Sequence, residues 1–307
     1  MAANSYTTAD LVTNVKLVGH VPLSNSTFTA PEIINLANRE LQTALVKQIL
    51  SVREGYYMTY EDQSLADDGL YDVPSNAIGG ALANIELIQN TTIIPVNRIE
   101  ESEQFSTNAP TSTSYGFFMK ANKVQVLPTP NIGTPRIWYF RRPNTLVETA
   151  DAAQITAINS NVVTVSTLPS TMLVGTDIQF CQDQPTFNVL GTYEISNISS
   201  LDITLTGTMP TDLAVGDWMC LENQTPVPQI PVEFRPLLEQ RVVVKIYELQ
   251  GYLDKMRAAK VVLDEMTKDI FGLITPRVQS QSKIIMPVNG GFMCGRGGWN
   301  FPAGRTQ

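Results

Sequence analysis

Within residues 150–224 the chain writes one pattern twice. Ile155-Thr-Ala-Ile158, Val163-Thr-Val-Ser166, Leu168-Pro169 and Val174-Gly175 return as Ile195-Ser-Asn-Ile198, Ile203-Thr-Leu-Thr206, Met209-Pro210 and Val215-Gly216. The offset is 40 residues as far as Leu205 and 41 from Met209 onward, so one residue has entered between strand and turn. A unit of that period copied inside one chain is a supersecondary piece whose apolar face needs its copy to cover it. Each copy reads as about three strands, near 154–159, 161–166 and 176–181, then near 192–198, 201–206 and 217–221. Asn159-Ser160 and Ser199-Ser200 suit tight hairpins. Six strands can close into a small barrel, which removes the free edges that invite aggregation.

The repeat interrupts a helical sequence. Residues 8–18 read as a short helix with Thr8 at its N-cap, ended by Gly19 and Pro22. Thr29 and Pro31 open a second helix, in which Ile33, Leu36, Ala37, Leu41, Ala44, Leu45 and Ile49 keep helical spacing through Leu50. Short strands follow at 56–60, 69–73, 81–88, 115–120, 123–127 and 135–140, with a helical turn or two expected over 96–104. These strands read as a small sheet packed on the helices. Beyond the repeat, Pro226, Pro228, Pro231 and Pro236 fall within eleven residues. Proline fixes its own φ and extends the residue before it, so this segment reads as a stiff hinge. From Leu238 to Ile270 apolar residues recur every three or four positions, with Gly251 as the corner of a helical hairpin or the bend of one long helix. The expected fold class is α+β. A helical-bundle body with a small antiparallel sheet spans 1–149 and 225–275, and a six-stranded β-barrel-like module is inserted at 150–224. A C-terminal helical hairpin continues into an extended arm at 276–307.

Charge is distributed unevenly. Residues 54–104 carry ten acids and one base, and residues 150–224 carry eight acids with no Lys or Arg. Residues 105–149 hold five bases and one acid, and residues 275–307 four bases and no acid. A sequence-specific DNA binder needs a concentrated basic face, which this acidic chain of net charge −8 lacks. The basic tail reads instead as an arm for an acidic partner. Five glycines in residues 290–298 preclude a self-standing fold there, yet Phe292, Met293, Trp299 and Phe301 are costly to leave in water. With Arg296 and Arg305 they have the composition of interface anchors.

Catalysis finds little footing. His20 is the only histidine, so no histidine triad or zinc cluster can be built from one chain. Asp67-Asp68 and Glu100-Glu101 are adjacent acids whose side chains diverge, and Asp67-Asp68-Gly69 is explained by turn chemistry. The glycines at 290–298 follow no strand and precede no helix, so they form no phosphate loop. Cys181, Cys220 and Cys294 have no metal spacing and read as reduced thiols, the first two close together. No cofactor and no enzyme activity are expected. No apolar run nears the ~20 residues of a membrane span, and the N-terminus lacks the pattern of a secretion signal, so a soluble protein made in a cytoplasm is expected.

Several stretches resemble tailed-bacteriophage (podovirus-like) head-to-tail adaptor, or connector, proteins. They are Leu50-Ser-Val-Arg-Glu-Gly-Tyr-Tyr, Tyr71-Asp-Val-Pro-Ser-Asn-Ala-Ile-Gly-Gly, Val126-Leu-Pro-Thr-Pro and Tyr139-Phe-Arg-Arg-Pro-Asn-Thr-Leu-Val. Pro226-Val-Pro-Gln-Ile-Pro-Val-Glu-Phe and Leu273-Ile-Thr-Pro-Arg-Val complete the set. The resemblance implies a virion protein forming a ring, commonly of twelve copies, below the portal. Such a ring extends the channel for double-stranded DNA, without sequence-specific binding, and docks the tail nozzle. It also implies a portal-docking arm, here Phe292, Met293, Arg296, Trp299, Phe301 and Arg305, with assembly in the bacterial host cytoplasm. A β-module like 150–224 is more than the smaller adaptors carry. The alternative readings are a tail nozzle, tube or receptor-binding component whose barrel binds glycan, and a virion-borne wall hydrolase.

Overall fold

A computed structural model describes residues 6–21, 28–103, 114–182 and 189–274. Helix α1 (Thr8–Val18) is capped by Thr7 rather than Thr8, because Asp10 three residues on completes a capping box. Thr8 is fully buried and turned to tertiary use: its N–H donates to Pro226 O and its hydroxyl to Val147 O, each at 2.7 Å. Helix α2 (Ala30–Glu40) starts from a Thr29–Glu32 capping box, then widens into a π-helical segment (Leu41–Leu45) before α3 (Val46–Val52). The even spacing of apolar residues is continuous across all three, which is why the sequence reads them as one helix. Helices α4 (Arg235–Gln250) and α5 (Leu253–Ile274) are separated by Gly251 at φ 73°. There the chain turns back, and Gln240 Nε2 donates to Ala259 O at 3.0 Å. Leu11, Val15, Ile33, Leu41, Leu45, Ile49, Leu237, Leu238, Val242 and Ile246 are fully buried in one core, so helices from both ends of the chain share it.

Strands β1 (Met58–Asp62), β2 (Leu70–Asp72), β3 (Ala77–Gln89), β4 (Thr92–Arg98), β5 (Gly116–Lys120), β6 (Lys123–Leu127) and β7 (Thr134–Arg141) form a sheet in the order β1-β7-β3-β4-β5-β6-β2. The expected helical turns over 96–104 are a strand to Arg98 and a single 3-10 turn at Glu101–Glu103. Asn90 at φ 56° makes the two-residue turn that folds β4 back on β3, and the β-branched run Thr92-Ile93-Ile94 favours the ladder. This sheet is not a layer on the helices. Its Tyr71, Ile85, Leu87, Val96, Phe117, Val124, Val126 and Ile137 close on one another as a second core. The consecutive strands β1 and β2 are the two edges, bridged by Gln63 Nε2 donating to Asp72 O at 2.8 Å.

Strands β8 (Thr145–Leu146) and β15 (Gln224–Thr225) pair in parallel and bring together the entry and exit of the repeated segment. Between them β9 (Ala153–Asn159), β10 (Val162–Val165), β11 (Asp177–Cys181), β12 (Val189–Ser199), β13 (Asp202–Leu205) and β14 (Trp218–Leu221) close a barrel in the order β10-β13-β12-β11-β14-β9. The register obeys the sequence repeat. Val163 pairs with Ile203, its equivalent at offset 40, and Gln179 pairs with Cys220, its equivalent at offset 41. A pseudo-twofold axis therefore runs through both pairs. The third strand of each copy pairs with the first strand of the other, as Gly175 N to Ile195 O (2.8 Å) matches Gly216 N to Ile155 O (2.9 Å). Neither copy can close alone. Both copies carry the same irregularity, and the hydroxyls of Thr156 and Ser196 donate to Thr164 O and Thr204 O at 3.0 Å. The inserted residue falls at Gly207, which takes φ 89° just after β13.

Deleting Gly207 should leave the barrel intact, with a melting temperature within about 5 °C of the parent, because the residue lies outside every ladder. Ile203→Ala on the pseudo-axis should cost about 2–5 kcal/mol in urea unfolding.

Candidate functional site

The barrel, the sheet and the helices meet at a buried polar junction. Asn144, Gln179 and Gln229 are 2%, 2% and 4% exposed and come from three different segments. Asn144 Nδ2 donates to Gln179 Oε1 at 3.1 Å and to Gln224 O at 3.2 Å, while its backbone N–H donates to Gln229 Oε1 at 2.8 Å. Gln179 Oε1 also accepts from Arg141 Nη2 at 3.2 Å and from Asn223 N at 3.1 Å, and its Nε2 donates to Thr192 Oγ1 at 3.0 Å. Tyr57, fully buried, donates its hydroxyl to Gln229 O at 3.1 Å. Burial pushes the Arg141 guanidinium below its ordinary value. A short side-chain amide can satisfy donors and acceptors from several backbones at once, which no apolar residue here could do.

Cys181 and Cys220 sit beside this junction, buried and free. The hydrogen bond from Cys220 lowers Cys181, and burial raises Cys220 well above the usual thiol range. Their proximity follows from the β11–β14 register, in which Gln179 faces Cys220 and Cys181 faces Trp218. Among the described residues no group of three or more His, Cys, Asp or Glu is placed to hold a metal ion.

The proline segment is bound into the same junction. Residues 225–231 are all buried, Thr225 Oγ1 donates to Val227 O, and Ile230 N donates to Pro228 O. Pro226, Pro228 and Pro231 lie in this strut, whereas Pro236 is exposed in the first turn of α4. Phe292, Met293, Arg296, Trp299, Phe301 and Arg305 lie outside the described residues, as does Cys294. His20 is exposed behind α1, and Asp68 Oδ1 accepts the Leu70 N–H at 3.0 Å, in keeping with a turn role. In the barrel, Phe180 and Trp218 are buried and Tyr193 is half-buried against Phe180. Phe187 lies outside the described residues.

Outside the junction, α5 is largely uncovered. This helix of 22 residues, about 33 Å long at 1.5 Å per residue, buries only Ala259 and Ile270 among its described side chains. Leu253, Val261 and Val262 are 58%, 59% and 45% exposed. No helix among the described residues is long and apolar enough to cross a membrane.

A family model, that of the SU10 adaptor protein, matches residues 6–176, which is more than half of the 307 residues. The chain belongs to the SU10 adaptor protein family. It is a structural adaptor of a phage, a virion component by kinship. No curated protein matches the sequence. Four of the six stretches that carry the resemblance to head-to-tail adaptors meet around the adaptor's junction. Residues 50–57 supply Tyr57, 71–80 supply the Asn76 carbonyl that accepts from Arg142 N at 2.7 Å, 139–147 supply Arg141 and Asn144, and 226–234 supply Gln229. The sequence reading quoted these segments without singling out their amides. The available signal was polar residues directly after proline, at Pro143-Asn144 and Pro228-Gln229.

Asn144→Ala in the adaptor should cost about 2–3 kcal/mol or more in chemical denaturation, because Gln179 and the Gln224 carbonyl lose a buried partner. Burial, aided by a hydrogen bond to Glu239, raises Tyr6, and burial likewise raises Tyr57. The unfolded chain therefore releases these protons first. Stability from the two hydroxyls is complete below the ordinary value of 10.0 and falls as pH rises above it. A denaturation series from pH 7 to 11.5 should show a decline that begins near pH 10 and is reduced in Tyr57→Phe.

Proposed function

We propose that this adaptor works as a ring of copies, twelve in the favoured form, seated between portal and tail, where it extends the DNA channel and docks the tail. The observation that carries this reading is the one-sided burial of α5 in a chain of adaptor kinship. A long helix with Leu253, Val261 and Val262 in water is a surface that a neighbour would cover. A ring needs two different faces to meet, and the balanced charges between 237 and 270, six acids and six bases, suit a partner of the same kind. Pro226, Pro228 and Pro231 act as the rigid strut that sets α4 and α5 against the barrel, and the arm at 276–307 engages the portal through Phe292, Met293, Trp299 and Phe301.

Duplex DNA passes without sequence-specific contact, and the acidic surface discourages it from adhering. The role is structural and requires no turnover. A glycan-binding barrel draws no support from Phe180 and Tyr193, which pack in the barrel core, or from Trp218, which is buried in a separate cluster with Ala152, Cys181 and Val227.

Native mass spectrometry and cryo-EM of the purified protein with its portal should yield closed rings. Removal of residues 286–307 should abolish portal binding while leaving the monomer's melting temperature unchanged. Val261→Lys with Val262→Lys should alter monomer stability by no more than about 0.5 kcal/mol, since both are exposed, yet block ring formation. Rings that form unchanged in the double variant would remove α5 from the interface.

A further inference from the structure

Three shallow hollows on the sheet run into one another and form a single groove. The first and second share Gly80 and Met119, and the second and third share Ser75 and Arg142. Arg98 stands at one end and Arg142 further along, and no Asp or Glu lines any of the three. Both arginines are exposed, and neither makes an ion pair with a described residue. The middle of the groove is a wide bulge. Between the pairs Ala77–Arg141 and Leu82–Tyr139, strand β3 has four residues where β7 has one. Gly79 and Gly80 sit there at φ 61° and 66°, and a Cβ on either would meet nothing within 4 Å. Glycine is thus required by the backbone conformation, and the space above it is open.

In a chain of net charge −8 this is a basic groove without a counterpart. The same sheet presents the complement. Asp67 and Asp68 are exposed on a tight turn that is locked in place: Gly69 takes φ 67°, and a Cβ there would lie 2.7 Å from Val126 O. The turn adjoins the Val126 end of β6, while the groove adjoins Ala121 and Asn122 at the other end. About 15 Å of strand, at ~3.3 Å per residue, separates the turn from the middle of the groove, and Arg98, level with Val126 through Phe117, stands three strands from Gly69, about 14 Å at ~4.8 Å per strand, so one copy cannot fill its own groove with its own turn.

We propose that the groove between Arg98 and Arg142 receives the Asp67–Asp68 turn of a second copy of this chain. The acidic turn and the arginine groove are two different surfaces of the sheet, so seating one in the other makes a heterologous, head-to-tail contact, the kind that closes rings. The contact is charge-assisted and polar, distinct from the apolar face of α5, and it weakens as salt rises. It rests on the ring reading and specifies one of its contacts.

The test is sedimentation velocity at 50 mM and 300 mM salt on the full chain, with and without portal, using R98E/R142E, the neutral R98Q/R142Q, D67K/D68K and the four-fold exchange. Thermal melts check folding in parallel. Each reversed pair should weaken assembly about tenfold or more, the neutral pair less, and the four-fold exchange should regain most of the loss. If the parent forms rings and every variant forms them equally well, the groove proposal fails and the ring reading stands. If the parent stays monomeric even with portal, both fall. Should R98E/R142E keep its assembly but lose affinity for a short DNA duplex that the parent binds, the groove belongs to nucleic acid and the proposal is overturned.

Discussion

The fold depends on three buried amides. Asn144, Gln179 and Gln229 come from the sheet's exit, the barrel and the strut before α4, and each satisfies groups that would otherwise be orphaned. A buried donor without a partner costs more than the bond itself returns, so arrangements that break these bonds are disfavoured, even though Gln229 Nε2 and Arg141 Nε have no partner among the described residues. The junction therefore fixes geometry in a way that an apolar contact, tolerant of sliding, does not. The parallel β8–β15 pair beside it holds the two ends of the barrel segment together. Barrel, sheet and helices keep separate cores, yet their polar backbone groups are settled in common.

For an assembly part this arrangement is functional. A virion adaptor must present its surfaces at fixed angles to its neighbours, and a rigid junction provides that. Thr8 bonded to Pro226 and Val147, Tyr57 to Gln229, and Asn38 to the Leu146 N–H at 2.7 Å all bind helices to the same strut and strand. The outward faces, α5 and the groove on the sheet, are by contrast left uncovered by the described residues of the subunit. Rigidity is concentrated where elements join, and unsatisfied surface where copies would meet.

Much of the barrel was legible in the residues. The 40-residue repeat specified equivalent strands, and Val163–Ile203 and Gln179–Cys220 obey it in register. The extra residue between Leu205 and Met209 is the glycine that takes positive φ. Elsewhere local signals misled for identifiable reasons. Thr7 displaced Thr8 as the N-cap because Asp10 stands at the right spacing for it and not for Thr8. Residues 96–98 became strand because the hairpin at Asn90 pairs Val96 with Ile85 and the parallel β5 then pairs Asn97 and Arg98. The amides of the junction were invisible as a group, since their partners are between 35 and 85 residues apart in sequence.

The sequence by itself determined the class of elements, the doubling of the barrel, the uneven charge and the absence of histidine clusters. These are properties of periodicity and composition, and they survive any arrangement of the parts. Only the tertiary structure decided that strands 58–141 enclose a core of their own, that residues 225–231 are buried, and that an acidic turn and an arginine-lined groove occupy separate parts of one sheet. Those outcomes depend on long-range hydrogen-bond satisfaction and register. Neither is written in any window of residues short enough to read by pattern.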